Sequence, residues 1–216
     1  MVEVKFCGMT RGEDVTFAAA LGAAYVGAIF AGGPRHQTVD GAQRVFGAAF
    51  PPPQRVAVVA EQTPVEIAGM VNTLRLHAVQ LHANPSVERI QQVRKTVTAK
   101  VWAVLQIAGD ELPPDVSDIA ANADAIVLDA RVPGGLGGSG VTLPWTQLAR
   151  SLTKVRGQCR IVLAGGLKPE NVANAIAAIE PDVVDVSSGV ESAPGIKDHS
   201  RMRAFIEAVA GVGARK

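Results

Sequence analysis

The chain has 216 residues, with 21 Lys and Arg against 20 Asp and Glu, 48% hydrophobic and 19% charged side chains, and two cysteines. A length just above the usual domain size, without a charged or low-complexity tail, predicts one domain over 1–216 around a single core and excludes a disordered chain. The net charge of +1 offers no broad field to nucleic acid or anionic lipid, so neither is an expected partner and any bound anion must be gripped locally.

The first apolar run is Val2 to Cys7, interrupted by Glu3 and Lys5, which argues against a secretory leader. Val15 to Pro34 is then twenty residues without a charge, the length of a membrane span. It contains Gly22, Gly27, Gly32 and Gly33, and reads as an Ala-rich helix ending at Gly22 followed by a buried strand, Tyr25 to Phe30. Further runs follow at Arg55 to Val59, Ala78 to His82, Lys100 to Leu105, Ala125 to Asp129, Arg160 to Ala164 and Val183 to Ser187. Most are continuous rather than alternating, as in parallel strands covered on both faces.

Between the strands the apolar spacing is helical. Stripes recur in Pro64 to Arg75, Pro85 to Val97, Lys168 to Ile179 and His199 to Val209. The segment Asp110 to Ala123 carries Pro113 and Pro114 and predicts only a short or irregular helix. Eight strand-then-helix units fit either a closed (β/α)8 barrel or an open doubly wound sheet. Units of roughly 26 residues, in a fold that typically takes about 250, favour a compact α/β TIM (β/α)8 barrel.

In such a barrel the chemistry sits at the C-terminal ends of the strands. There the chain places Cys7-Gly8, Pro34-Arg35, His82, Asp129, Gly165-Gly166 and Ser188-Gly189. Glycines after strands 7 and 8, Ser188 beside them, and a helix opening at Pro169 describe a phosphate cradle, although Gly165 and Gly166 also suit a plain tight turn. Gly135 to Gly140 spells G-x-G-x-x-G without the flanking strand, helix and acidic residue of a dinucleotide site, so NAD is rejected. A lid whose amides help hold phosphate is the reading kept, against a simple flexible connection.

Cys7 stands two residues after Lys5, so in a strand both side chains share a face, and the ammonium or the neighbouring phosphate-site amides are placed to favour a thiolate, while a small buried hydrophobe is the plainer alternative. Lys5 needs a carboxylate partner, for which Asp185 on strand 8, next to strand 1 after closure, is the candidate. Asp129 ends an otherwise apolar run, where a raised pKa suits a general acid, while an N-cap or turn aspartate is the plainer alternative. Cys159 lies at the opposite end of its strand from Cys7, so no disulfide is expected; a reducing cytoplasm is. The four histidines show no metal-ligand spacing, and His82 is read as structural.

Together, Lys5-Phe6-Cys7-Gly8-Met9-Thr10, Pro34-Arg35, Gln80-Leu81-His82, Leu128-Asp129, Gly137-Gly138-Ser139-Gly140, Leu163-Ala164-Gly165-Gly166-Leu167 and Asp185-Val186-Ser187-Ser188-Gly189-Val190-Glu191 resemble the phosphoribosylanthranilate isomerase family. The likeness runs from strand 1 to the last helix in the family's order. It implies a cofactor-free Amadori rearrangement of N-(5-phosphoribosyl)anthranilate in tryptophan biosynthesis, with a small phosphosugar as substrate; a monomer is expected, although the sequence does not settle the oligomeric state. By the same resemblance Asp129 is the general acid, Cys7 the general base, and Arg35 the ligand of the anthranilate carboxylate. Gly138, Ser139, Gly165, Gly166, Ser188, Gly189 and Asp185 complete the substrate site. The chain departs from the family at Ala83 and Ser139, where glycine and threonine are usual, at Gly33, where serine is common, and at Lys168, where Ser or Thr caps the next helix. The related isomerase of histidine biosynthesis remains an alternative, though it needs an acid where Cys7 stands. A phosphosugar-binding protein without turnover is another.

Overall fold

The computed structural model describes residues 1–82, 84–130 and 143–213. Eight parallel strands close a barrel in chain order: β1 (Glu3–Phe6), β2 (Tyr25–Ile29), β3 (Gln54–Val59), β4 (Ala78–Leu81), β5 (Lys100–Ile107), β6 (Ala125–Ala130), β7 (Arg160–Leu163) and β8 (Val183–Val186). Every strand read from the sequence is present, displaced by at most two residues at an end. The closing pair is β1 with β8, in a register that sets Lys5 opposite Asp185.

Helices α1 (Gly12–Ala20), α2 (Val39–Phe46), α3 (Pro64–Leu74), α4 (Val87–Arg94), α5 (Val116–Asn122), α6 (Trp145–Leu152), α7 (Val172–Ile179) and α8 (His199–Gly213) surround the barrel. Local chemistry sets their starts. Thr63 caps α3 by accepting from Glu66 N, Glu66 reaches back to Thr63, and Pro64 occupies the first turn, where its missing N–H costs nothing. Ser86 caps α4 by accepting from Arg89 N. α5 begins only after Pro113 and Pro114 and is seven residues long, as its prolines predicted.

The charge-free stretch from Val15 resolves into the end of α1, a turn at Gly22 and strand β2. Among the described residues no helix is long and apolar enough to cross a membrane. A two-stranded hairpin, β9 (Glu191–Ala193) with β10 (Ile196–Lys197), follows β8 and was not anticipated. Its strands are too short for periodicity to register.

Alternation along each strand divides the core in two. Outward residues such as Phe6, Val26, Leu105, Ile126 and Leu163 pack under the helical stripes, against Ile67, Ile90, Ile176 and Phe205 among others. Each such side chain contributes roughly 1.5–3 kcal/mol by burial. Inward residues fill the barrel with Val56, Trp102, Val127, Val162 and Val183, and Tyr25 meets Trp102 edge to face at 5.2 Å. The filling is apolar in its lower layers. One layer higher it turns polar, with Lys5, Gln80 and Asp185 all buried. That change of layer marks the floor of a cavity.

Candidate active site

The cavity occupies the C-terminal mouth of the barrel and holds about 420 Å³. Cys7, Arg35, Asp129 and Asp185 line it, as do Gly165, Gly166, Ser188 and Gly189. These eight expected site residues come from strands β6 and β8 and from the four connections after β1, β2, β7 and β8, and meet in one space because the barrel is closed. Gly138 and Ser139 lie outside the described residues. His82 also lines the cavity, so it faces the site rather than serving the packed core alone.

The floor is an ion pair. Lys5 Nζ donates to Asp185 Oδ2 at 2.6 Å and to Gln80 Oε1 at 3.1 Å. Asp185 was expected to partner Lys5, and it does. Burial works against the Lys5 charge, but Asp185 and Cys7 outweigh it and hold its pKa above the ordinary lysine value. Asp185 Oδ1 is buried with no hydrogen-bond partner among the described residues, and the residue lines the cavity. A carboxylate oxygen so placed is an acceptor for a ligand hydroxyl or N–H.

Cys7 continues β1 beyond Phe6, its N–H donating to Val186 O, and its thiol hydrogen-bonds with the Lys5 side chain. Both groups lie over Gly27 of β2, where a Cβ would come within 3.0 Å of Cys7 Sγ and 3.3 Å of Lys5 Nζ. The expected net effect on the thiol needs correction. Lys5 does lower the Cys7 pKa, and Lys197 helps, but burial is larger and Asp185 adds to it, so the thiol is pushed up. In the free protein Cys7 is therefore a thiol with a cation at hand, not a standing thiolate.

Asp129 fulfils the sequence expectation. It sits near the end of β6, where burial, reinforced by the charge of Asp185, raises its pKa to about 6 against the weaker pull of the Ala130 N–H and Lys5. A carboxyl group with such a pKa holds a proton close to neutral pH, as a general acid must.

The cradle itself departs from expectation at one helix end. Gly165 and Gly166 both take positive φ, +79° and +64°, and both line the cavity. α7, however, begins at Val172 rather than at Pro169. Lys168 has no oxygen with which to cap a helix, and Asn171 takes over: its side chain accepts from Lys168 N and donates to Gly166 O, holding residues 168–171 as a turn. The α7 dipole is set back by that turn. Gly165 and Gly166, and Ser188 and Gly189 in the 3-10 turn after β8, line the cavity together.

Two residues of this region escaped sequence reasoning. Glu191 and Lys197, from the hairpin strands β9 and β10, stand behind Arg35, and Glu191 takes the Arg35 guanidinium in a fork, with Nη2 to Oε2 at 2.6 Å and Nε to Oε1 at 2.9 Å. Glu191 closes the motif quoted above and Lys197 follows it six residues on, but nothing in their spacing indicates that they face each other.

A model of the N-(5'-phosphoribosyl)anthranilate isomerase family matches residues 4–208. The chain belongs to this family. It is an isomerase of the family's TIM-barrel type, consistent with both the strand-end motifs and the closed eight-stranded sheet. Among its relatives is N-(5'-phosphoribosyl)anthranilate isomerase of Cereibacter sphaeroides, 38% identical over 211 residues, covering 96% of this chain and 98% of the relative. Among solved structures, phosphoribosyl anthranilate isomerase from Thermus thermophilus has a TM-score of 0.85 at 32% identity, covering 98% of this chain and all of that one. Another, with a TM-score of 0.80, 31% identity and the same coverage, is a phosphoribosyl anthranilate isomerase in complex with reduced 1-(o-carboxyphenylamino)-1-deoxyribulose 5-phosphate.

Proposed function

We propose that the protein converts N-(5-phosphoribosyl)anthranilate to 1-(2-carboxyphenylamino)-1-deoxyribulose 5-phosphate, an Amadori rearrangement in tryptophan biosynthesis. Asp129 acts as general acid and Cys7 as general base. The observation that carries this reading is the pairing in one cavity of a protonatable Asp129, with a pKa of about 6, and the Cys7 thiol beside the Lys5 ammonium.

The phosphate occupies the loop amides of Gly165, Gly166, Ser188 and Gly189, joined by Gly138 and Ser139. Strands β7 and β8 lie between β6 and β1 in the closed sheet, so a ribose hanging from that cradle has Asp129 on one side and Cys7 on the other. Asp129 gives its proton to the ring oxygen as the bond from C1′ to that oxygen breaks, and the nitrogen lone pair forms the C1′=N iminium. Cys7, as thiolate, removes the C2′ proton, and the C–H electron pair becomes the C1′=C2′ bond of an enolamine while the iminium is discharged. Protonation at C1′ and loss of the enol proton leave the ketone, so no atom is gained or lost overall.

Other side chains bind and orient. Asp185 Oδ1 accepts from a hydroxyl of the sugar. Arg35 has five N–H groups, two of which serve Glu191, and the remainder take the anthranilate carboxylate. Each group assigned a role comes from one chain, which supports a reaction completed within a monomer; the reading requires no cofactor, and the cytoplasm suits both a free thiol and a metabolic phosphosugar.

The test is the loss of substrate fluorescence on adding purified protein, with substrate generated in place and the ketose trapped by the next enzyme of the route. Enzyme-dependent loss is expected. A folded protein that binds a product analogue without turnover would refute the reading.

A further inference from the structure

The substrate-carboxylate ligand proposed above is not a free arginine. Arg35 is largely covered, and its partner Glu191 and the next residue in line, Lys197, have side chains 4% and 0% exposed. Lys197 Nζ donates to Glu191 Oε1 at 2.8 Å and to the carbonyl of Cys7 at 2.6 Å, with Ser187 O at 3.2 Å. A continuous chain of contacts therefore runs from the backbone of Cys7 through Lys197 and Glu191 to the guanidinium of Arg35. The side chain of Arg35 also lies against Gly8, where φ is +72° and a Cβ would come within 2.6 Å of Arg35 Cδ. The residue after Cys7 is thus the seat of the arginine as well.

We infer that Glu191 is a positioning residue, which together with Lys197 fixes where Arg35 presents its free N–H groups relative to Cys7, and so sets the preference for a substrate carrying a carboxylate on its aromatic ring. The inference rests on Arg35 being the carboxylate ligand. Two features of the cluster carry it beyond a structural strut. The fork consumes one edge of the guanidinium, and among the described residues the two N–H groups of Nη1 and one of Nη2 meet no other acceptor, a fixed planar donor set of the kind that recognises a carboxylate. The charges also matter. Lys197 shares the same Glu191, so the carboxylate is held from both sides and cannot swing away from Arg35, while burial pushes the Lys197 pKa down against the pull of Glu191.

The experiment compares binding of two inert analogues of the reduced product by isothermal titration, one with the ortho-carboxylate and a twin lacking it. The native protein is expected to prefer the carboxylated analogue by at least tenfold. Glu191→Gln should cut that preference about tenfold with the twin's affinity held within twofold, and kcat/KM should fall through KM. Glu191→Asp keeps the charge beside Lys197 but shortens the reach, and should lose about threefold of the preference. Equal weakening of both analogues in both variants, or an unchanged preference, would overturn the inference. Arg35→Ala in the same titration separates the two levels: if it leaves the preference intact, the carboxylate assignment itself is wrong and the inference falls with it.

Discussion

Lys5 Nζ lies 2.6 Å from Asp185 in the floor of the cavity, and among the described residues no ion pair of this kind reaches Asp129, the half-buried carboxylate that also lines it. The difference separates the two acids. One carboxylate is given a cation and serves as a fixed charge, while the other is left to burial and to the charge of the first, which raise its pKa to about 6. Pairs of carboxyl groups whose surroundings differ in this way commonly divide into an ionised partner and a proton donor.

Asp129→Asn is expected to reduce kcat by at least about a hundredfold, the usual contribution of a general acid. It should also stabilise the protein at high pH. The folded pKa of about 6 exceeds the unfolded value near 3.9, so between those values the folded state holds more protons and stability falls as pH rises. Above pH 6 the cost of the buried charge is complete, roughly 2–3 kcal/mol. Urea melts of both proteins at pH 4 and pH 8 should show the variant gaining about that much on the parent between the two conditions; an unchanged difference would mean that Asp129 is ordinary.

The pH profile of kcat/KM follows from the same groups. The reactive form carries a protonated Asp129 and an ionised Cys7, whereas the pKa of Asp129 is about 6 and that of Cys7 is raised above its ordinary 9.0. Fewer than about one molecule in a thousand has that arrangement. Activity should rise with pH to about 6, hold level, and fall only above the Cys7 pKa. An acid limb near pH 4 would contradict this assignment.

Lys5→Met removes the only residue ion-paired to Asp185 among the described residues. Leaving that carboxylate buried should cost about 3–5 kcal/mol, and adding Asp185→Leu should recover much of it, because a buried pair replaced on both sides is far less costly than one broken. A double-mutant cycle from urea melts measures the coupling. Loss of Lys5 also removes the main influence lowering the Cys7 pKa, so alkylation of Cys7 at pH 8 should slow in the single variant.

Gly27→Ala places a methyl group 3.0 Å from Cys7 Sγ and 3.3 Å from Lys5 Nζ, so the thiol must shift by a few tenths of an ångström. The expected outcome is a loss of about tenfold in kcat with little change in KM, since the phosphate and carboxylate ends of the site are not touched. Steady-state kinetics decide it; a variant with native kcat would show that the thiol's position is not critical.

The amino-acid sequence by itself determined the architecture and most of the site. Eight apolar runs, most of them continuous, separated by helical stripes narrow the fold to a closed barrel or an open doubly wound sheet, both of which cover each run on two faces; units of roughly 26 residues favour the barrel, and polar or glycine residues at the run ends mark its open mouth. Lys5 opposite Asp185 was legible for the same reason: closing the sheet makes strands 1 and 8 neighbours, and a buried lysine needs an acid. The rest was decided by tertiary structure. Whether Cys7 ionises depends on burial and an aspartate set against two lysines, a balance that no local spacing contains. The start of α7 moved from Pro169 to Val172 because Asn171, not Lys168, had the oxygen and amide to organise the turn. Glu191 reaches Arg35 across 156 positions of chain through a hairpin too short to show a period. Charge-to-charge contacts between loops have no sequence signature, since only the folded barrel brings those loops together.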